Sequence, residues 1–328
     1  NQQYVLNLAG VYVRQGNIDK AIDIFKQEES SDGLGMCYLY KGDYKNALRE
    51  FQKLSLDGQK VGRKKFIIAR HIGLGLSYEG IGSLKMAKRH FKKAIDLIEA
   101  QWVQLAFSAK KNFLRGDVGI GFYRIDPYEG MVRTIIKEKK ENYQKEALLY
   151  AEMVKSRTLL EMLAAKGAMG TGKKEREVLA KDRQFQQEIQ RLKDKLLRIE
   201  GMDSKVPVGE KERVQQNLTK TLRDYELFIN EVKLQDVELA SLITVEVTPV
   251  ENIQSILDNS TTILEYFTTK DKTYAWLITK DDISVYELNI GKKNILAMVN
   301  DLLLPNISNT SRRTRGIMIV SKDRPQVS

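Results

Sequence analysis

Residues 1–100 contain one six-residue pattern three times, and this internal repeat constrains the fold more than any other feature. The pattern is Leu, a small residue, Tyr, Gly, Ala and Phe at constant spacing: Leu8, Ala9, Tyr12, Gly16, Ala21 and Phe25; Leu34, Gly35, Tyr38, Gly42, Ala47 and Phe51; and Leu74, Gly75, Tyr78, Gly82, Ala87 and Phe91. Small residues let two helices approach closely, and a Gly with positive φ ends a helix. Asn17, Asp43 and Ser83 then stand where a side chain caps the next helix. The repeat therefore predicts three helical hairpins.

These hairpins resemble the tetratricopeptide repeat (TPR), whose usual period is about 34 residues. The three copies here are offset by 26 and then by 40 residues, so the two junctions differ in length. A fourth, degenerate hairpin is predicted from residues 128–140 and 144–163. Ala147 and Ala151 take its small-residue positions, whereas Asn142 replaces the turn Gly.

Hairpins of this kind stack into a curved solenoid whose first helices line a concave groove, and such grooves bind peptides. The predicted groove residues are Leu6, Val13, Arg14, Met36, Leu39, Tyr40, Ile72, Leu76 and Glu79. Only Arg14 among them is basic, which argues against a clamp for a peptide's terminal carboxylate. The mostly apolar groove is therefore expected to bind a hydrophobic peptide of a protein partner, or a helix of the same chain.

The net charge of +11 is unevenly distributed along the chain. Residues 60–100 hold ten Lys or Arg against three Asp or Glu, and five of these cations are predicted on the outward face of the third hairpin: Lys85, Lys88, Arg89, Lys92 and Lys93. Two interpretations are open, a solvated helix face or a surface for an acidic partner such as a nucleic-acid-containing complex. Aromatic residues are not interleaved with these cations, as base-stacking platforms would require.

Heptad-like spacing predicts a pair of long helices in the middle of the chain. The first seam is Phe185, Ile189, Leu192, Leu196 and Ile199, and the second is Val214, Leu218, Leu222, Tyr225, Phe228 and Val232. Their steps of three and four are those of a coiled coil. Gly201, Pro207 and Gly209 separate the two seams, so the segment is predicted to be an antiparallel hairpin, preceded by a flexible linker at residues 166–174.

The pattern changes from helical to strand-like near Thr262. Residues 264–267, 273–279 and 283–288 are rich in aromatic and β-branched side chains, and short polar breaks separate them. Short strands joined by tight turns give such a pattern, so a three-stranded β-meander is expected. An amphipathic helix at 291–304 and a buried strand at 316–320 are predicted to follow.

The order of these segments resembles that of the CHAT family, caspase-like domains that follow TPR repeats. The helix before the long hairpin carries an Ala-Glu-x-x-Lys-Ser-Arg-x-Leu-Leu motif, made of Ala151, Glu152, Lys155, Ser156, Arg157, Leu159 and Leu160. The meander, helix and strand that end the chain are similar to the first elements of a CHAT domain. The resemblance implies a cysteine peptidase related to caspases and separases, working with a His base and a Cys nucleophile. Some CHAT proteins work beside RNA-guided complexes.

The sequence departs from that family in its catalytic residues. Cys37 is the only Cys, and His71 and His90 are the only His residues; all three precede the meander. We interpret Cys37 as a small buried hydrophobe and both His residues as surface or boundary residues. The catalytic half is expected beyond Ser328, which makes this portion inactive alone and regulatory. A non-enzymatic adaptor with a pseudo-protease domain is the alternative.

The sequence therefore predicts a mostly α-helical protein with a short C-terminal α/β portion. The expected domains are three TPR-type hairpins (1–100), degenerate helical repeat (101–165), linker and coiled-coil-like hairpin (166–240), and the first part of a CHAT domain (241–328). No cofactor or metal site is expected from the spacing of His, Cys and carboxylates. A single Cys, no signal peptide and no run of about 18 to 20 apolar residues favour the cytoplasm and argue against a membrane span.

Overall fold

A computed structural model describes residues 2–54, 63–104, 112–119, 121–165, 172–200, 209–236, 239 and 247–307. The helices are α1 (Gln2–Arg14), α2 (Ile18–Gln27), α3 (Ser31–Tyr40), α4 (Tyr44–Lys53), α5 (Arg63–Gly80), α6 (Leu84–Gln104), α7 (Asp126–Glu138), α8 (Tyr143–Ala165), α9 (Lys173–Glu200), α10 (Glu210–Gln235), α11 (Val250–Ser255) and α12 (Lys292–Ile307). The strands are β1 (Asp117–Gly119), β2 (Phe122–Tyr123), β3 (Ile263–Thr268), β4 (Thr273–Ile278) and β5 (Ile283–Leu288). The mostly helical fold with a small antiparallel sheet near the C-terminus is confirmed. The chain divides into two compact units, Asn1–Thr261 and Thr262–Ser328.

The three predicted hairpins are α1–α2, α3–α4 and α5–α6, each packed on the next. Gly16, Gly42 and Gly82 have φ values of 79°, 71° and 81° at the turns, where a side chain would strain the backbone. The predicted caps are only partly confirmed. The Asp43 carboxylate accepts a hydrogen bond from the Asn46 N–H at 3.2 Å, whereas the Asn17 side chain makes no capping bond.

The phenylalanines that end the second and third repeats are each packed against glycines of two first helices. A Cβ on Gly35 or Gly73 would come within 2.8 and 2.6 Å of the Phe51 ring, so this ring occupies the space of both missing side chains. The Phe91 ring lies in the same way between Gly75 of its own hairpin and Gly130 of α7. The second helices α4 and α6 are thereby held both to their own first helix and to that of the following hairpin.

The degenerate fourth hairpin is α7–α8, close to the predicted bounds. Asn142 has a φ of 59°, which matches the turn glycines because Asn tolerates the left-handed region better than most residues. Ala147 and Ala151 are completely buried, as their small-residue positions require. Gly130 receives the Phe91 ring, so α7 keeps the packing of the earlier repeats although its sequence pattern is lost.

A two-stranded ribbon, β1–β2, connects the third hairpin to α7. Its strands are antiparallel, and β1 packs against α5. Val118 and Phe122 are buried, and the Phe122 ring lies 6.0 Å from that of Phe51. The described part of the chain thus places a short extended segment on the solenoid, which the sequence pattern did not predict.

The long hairpin is formed by α9 and α10, which pack along the two predicted seams. Phe185 contacts Tyr225 and Phe228, with ring centroids 5.6 and 5.5 Å apart. Leu192 is buried, whereas Leu222 is an exposed exception in the second seam. The loop at 201–208 and most of the predicted linker at 166–174 lie outside the described residues.

The C-terminal unit contains the predicted meander, with strand order β3-β4-β5 and both pairs antiparallel. Residues alternate across the sheet, so neighbouring positions on a strand point to opposite faces. One face is buried and includes Phe267, Tyr274 and Trp276. The helix predicted at 291–304 is α12, and the strand predicted at 316–320 lies outside the described residues.

Replacing Gly73 by Ala tests the ring packing. The new Cβ would overlap the fully buried Phe51 ring, which Gly35 confines on its other side, so we expect a loss of about 1–3 kcal/mol in the free energy of unfolding. Gly10→Ala is the matched control. Its nearest neighbour would be the Arg14 guanidinium at 3.9 Å, and better helix propensity should raise stability by roughly 0.5–1 kcal/mol. Equal urea midpoints for both variants would contradict the packing argument.

Candidate partner-binding surfaces

The predicted groove residues differ in their solvent exposure. Exposed or partly exposed positions are Leu6, Val13, Arg14, Leu39, Tyr40 and Leu76. Met36 and Ile72 are buried, and the Glu79 side chain is only 7% exposed. The predicted surface is thus most accessible on the first two hairpins and largely closed on the third.

The β1–β2 ribbon accounts for part of this burial. A Cβ on Gly121 would lie 3.1 Å from the Met36 methyl carbon, so the ribbon backbone covers that side chain. Gly119 and Gly121 both have positive φ, which allows the tight connection between the two strands. An extended segment of the chain therefore occupies the region where Met36 of α3 and Phe51 of α4 lie.

Glu79 serves as a link between α5 and α7. Its carboxylate accepts hydrogen bonds from Arg133 Nε at 3.0 Å and Nη2 at 2.8 Å, and from Lys137 Nζ at 2.7 Å. Burial by itself would raise the pKa of Glu79, but the hydrogen bonds and charges of Arg133 and Lys137 outweigh it and lower the pKa. Glu79 is therefore ionised and engaged within the fold.

We call the residues that remain accessible on the first two hairpins the open inner face: Leu6, Val13, Arg14, Leu39 and Tyr40. Arg14 and Tyr40 occupy equivalent positions of successive first helices, six residues after the repeat's Leu. Tyr40 is 54% exposed. Aromatic and Arg side chains of this kind are frequent energetic anchors of protein interfaces. This face can bind an apolar segment and offer one cation beside it.

A second polar link joins α6, α7 and α8, and α8 is the helix that carries the Ala-Glu-x-x-Lys-Ser-Arg motif. Arg157 Nη2 donates a hydrogen bond to Glu99 Oε2 at 2.6 Å, and the buried Tyr128 hydroxyl donates to Glu99 Oε1. The Arg157 guanidinium lies 5.3 Å from the centre of the Trp102 ring. Arg157 of the Ala-Glu-x-x-Lys-Ser-Arg motif thus anchors α8 to the solenoid.

The five predicted basic residues lie on α6 and differ in their partners. Lys88 pairs with Glu138, and Lys92 Nζ lies 2.5 Å from Asp96 Oδ1. Lys85, Arg89 and Lys93 are exposed and have no ion-pair partner in the part of the chain that the structure describes. Sequence reasoning grouped all five, because the pairing of Lys88 with α7 is not visible in the pattern.

His71 contradicts the prediction that it is a surface or boundary residue, whereas His90 is partly exposed, as predicted for a boundary residue. His71 is buried within α5, and its Nδ1 lies 3.0 Å from His90 Nδ1, so one ring N–H donates to the other ring. The Tyr78 ring stacks on His90 with centroids 5.4 Å apart. Burial is the main cause that lowers the pKa of both imidazoles to about 4. His90 adds to the effect on His71, and the charges of Lys93 and Arg70 act on both rings, so the pair is neutral at pH 7.

Cys37 is a fully buried residue of the first core cluster, as its helical position suggested. Burial raises the pKa of its thiol to about 11, which keeps it protonated at neutral pH. A thiol in this state is a poor nucleophile.

Within the described residues, no cluster of three or more His, Cys, Asp or Glu side chains has metal-binding geometry. Among the described helices, none is both long and apolar enough to cross a membrane.

Replacing Glu79 by Gln should weaken the attachment of α7. Arg133 and Lys137 would lose their shared carboxylate, and we expect a loss of about 1–3 kcal/mol in the free energy of unfolding. Lys137→Gln is the control, since this exposed partner should cost no more than about 1 kcal/mol. Urea denaturation measures both variants. A smaller effect for Glu79→Gln than for Lys137→Gln would show that the carboxylate does not hold α7.

The histidine pair should make stability depend on pH. The folded pKa of about 4 lies below the ordinary value of 6.5, so the unfolded chain binds more protons between these values and stability falls as pH drops. The double variant His71→Asn/His90→Asn should lose less thermal stability than the wild type between pH 6.5 and 4. If the melting temperatures of the two proteins changed equally with pH across that interval, the role of the pair would be contradicted.

Comparisons with known proteins support part of this picture. A family model described as tetratricopeptide repeat matches residues 71–101, which cover the larger part of the third hairpin. No curated protein and no solved structure matches the chain. The third hairpin is therefore a TPR repeat, a unit that commonly mediates protein binding.

Proposed function

We propose that this chain is the recognition and regulatory portion of a TPR-CHAT cysteine protease, and that it binds a protein partner through its solenoid. The observation that carries the binding role is the open inner face on stacked hairpins, the third of which is a TPR repeat. The β1–β2 ribbon adds support, because it illustrates how an extended apolar segment packs on these first helices. The expected ligand is a hydrophobic peptide segment.

The C-terminal unit supports the CHAT part of the proposal. Its three strands and following helix have the order and bounds that the resemblance implied. The sheet face opposite Trp276 exposes an apolar row that includes Leu264, Tyr266, Tyr286 and Leu288. Soluble proteins rarely leave such a patch uncovered, and a sheet inside a caspase-like α/β domain would have both faces covered.

The catalytic residues of the proposed protease would have to lie outside this chain. Cys37 is the chain's only Cys and is buried as a protonated thiol, and His71 and His90 bond to each other. The alternative remains a non-enzymatic adaptor with a pseudo-protease domain. Sequencing the gene past the codon for Ser328 separates the two, since only the protease reading requires a further His and Cys at strand ends.

We propose that the effect of partner binding passes from the solenoid to the protease domain through α8 and the long hairpin. Arg157 fastens α8 to the solenoid, and α9 packs on α6. Phe185→Ala combined with Leu192→Ala should loosen the hairpin and uncouple partner binding from cleavage in the intact protein. Unchanged stimulation of cleavage by the partner would refute this route.

Peptide selection tests the binding role directly. Peptides selected against the whole chain from a random display library should be apolar, and calorimetry should give a roughly tenfold or greater rise in Kd for Tyr40→Ser. Tyr286→Ser is a matched control, because Tyr286 is 55% exposed and lies on the sheet instead of the solenoid. Equal losses in both variants, or peptides insensitive to Tyr40, would reject the open inner face as the binding site.

A nucleic-acid-containing complex is the second candidate partner. The specific observation in its favour is that Lys85, Arg89 and Lys93 are exposed on α6 without a carboxylate partner among the described residues.

A further inference from the structure

Three cations of α6 that have no ion-pair partner among the described residues lie in one line along the helix. Lys85, Arg89 and Lys93 are spaced by four residues, so they share one side of α6 and follow each other at steps of about 6 Å. All three side chains are exposed. We call this row the α6 stripe. Its regular step is close to the separation of successive phosphates along a nucleic-acid strand.

Other cations of the same helix have carboxylate partners. Lys88 is paired with Glu138 of α7, and Lys92 with Asp96 one turn further along α6. The stripe therefore differs from its neighbours on α6, although all five residues look alike in the sequence. Like charges at four-residue spacing repel each other, and within the described residues no acid forms an ion pair with any of the three.

The surroundings of the stripe add positive potential. Arg70 of α5 lies close enough to the histidine pair to lower its pKa, as do Lys93 and Arg89. The Arg70 Nε–H donates to the Phe51 carbonyl oxygen at 3.1 Å, which holds the guanidinium at the end of α4. Since the neighbouring His71 and His90 are neutral at pH 7, the positive field around the stripe comes from the Lys and Arg side chains.

We propose that the α6 stripe binds the phosphodiester backbone of a nucleic-acid strand, with one phosphate at each of Lys85, Arg89 and Lys93. This inference rests on the second candidate partner and is independent of the peptide groove. The contact is electrostatic and insensitive to sequence, because cations on phosphates read no base. The aromatic residues between Arg89 and Lys93 cannot stack on a base, because Phe91 is fully buried and His90 is stacked on Tyr78, so affinity depends steeply on salt.

Fluorescence anisotropy with a labelled oligouridylate measures this contact in the full chain. Three phosphates on a single strand predict a slope of log K against log salt concentration of about −2, which is a roughly twentyfold loss of affinity between about 50 and 200 mM salt. Lys85→Gln, Arg89→Gln and Lys93→Gln should each reduce the slope by about 0.7 and the triple variant should remove it. These side chains are exposed, and circular dichroism melting checks that each variant folds.

Lys92→Gln is the matched control, because it removes one cation from the same helix but from a residue already paired with Asp96. It should leave the salt slope unchanged. If the wild type binds but the triple variant keeps its slope, the stripe is refuted while a nucleic-acid partner survives. If the wild type does not bind the oligouridylate, both the stripe and the nucleic-acid partner are refuted. Equal affinity for a polyglutamate peptide would instead assign the stripe to acidic proteins and overturn the proposal.

Discussion

The packing of phenylalanine rings into glycine notches is the constraint on which the solenoid depends. Phe51 lies between Gly35 and Gly73, and Phe91 lies between Gly75 and Gly130. Each ring fills the space of two absent side chains, so it fixes a second helix against two first helices together. Close-packed interiors tolerate little change in volume, and the notch therefore sets both the distance and the order of the hairpins.

This stacking also decides which part of the inner face is accessible. Once Phe91 has docked α7 through Gly130, the carboxylate of Glu79 on α5 meets Arg133 and Lys137 on α7. Glu79, which the sequence placed in the binding groove, is therefore a structural link between α5 and α7 instead. The ribbon closes the neighbouring region by covering Met36. What remains is a shorter surface on the first two hairpins, where a partner would meet Tyr40 and Arg14.

Local patterns in the sequence predicted the hairpins, the coiled-coil seams and the meander, because each depends on spacing within one or two elements. The features that were missed depend on contacts between distant segments. The His71–His90 bond depends on which faces α5 and α6 turn toward each other, and the pairing of Lys88 with Glu138 requires α7 in place. Gly130 was the available signal for α7, since a glycine inside a helix usually has a packing reason.

The chain's most reactive side chains serve its structure, and this bears on how it can act. The Cys37 thiol is held protonated by burial, and the two imidazoles are held neutral by burial and by nearby cations. Burial therefore leaves Cys37 without a thiolate at neutral pH, and imidazoles whose pKa is about 4 are weak general bases. The surfaces of the solenoid are where we expect partners to bind. The open inner face and the α6 stripe differ in chemistry, so they suit different partners.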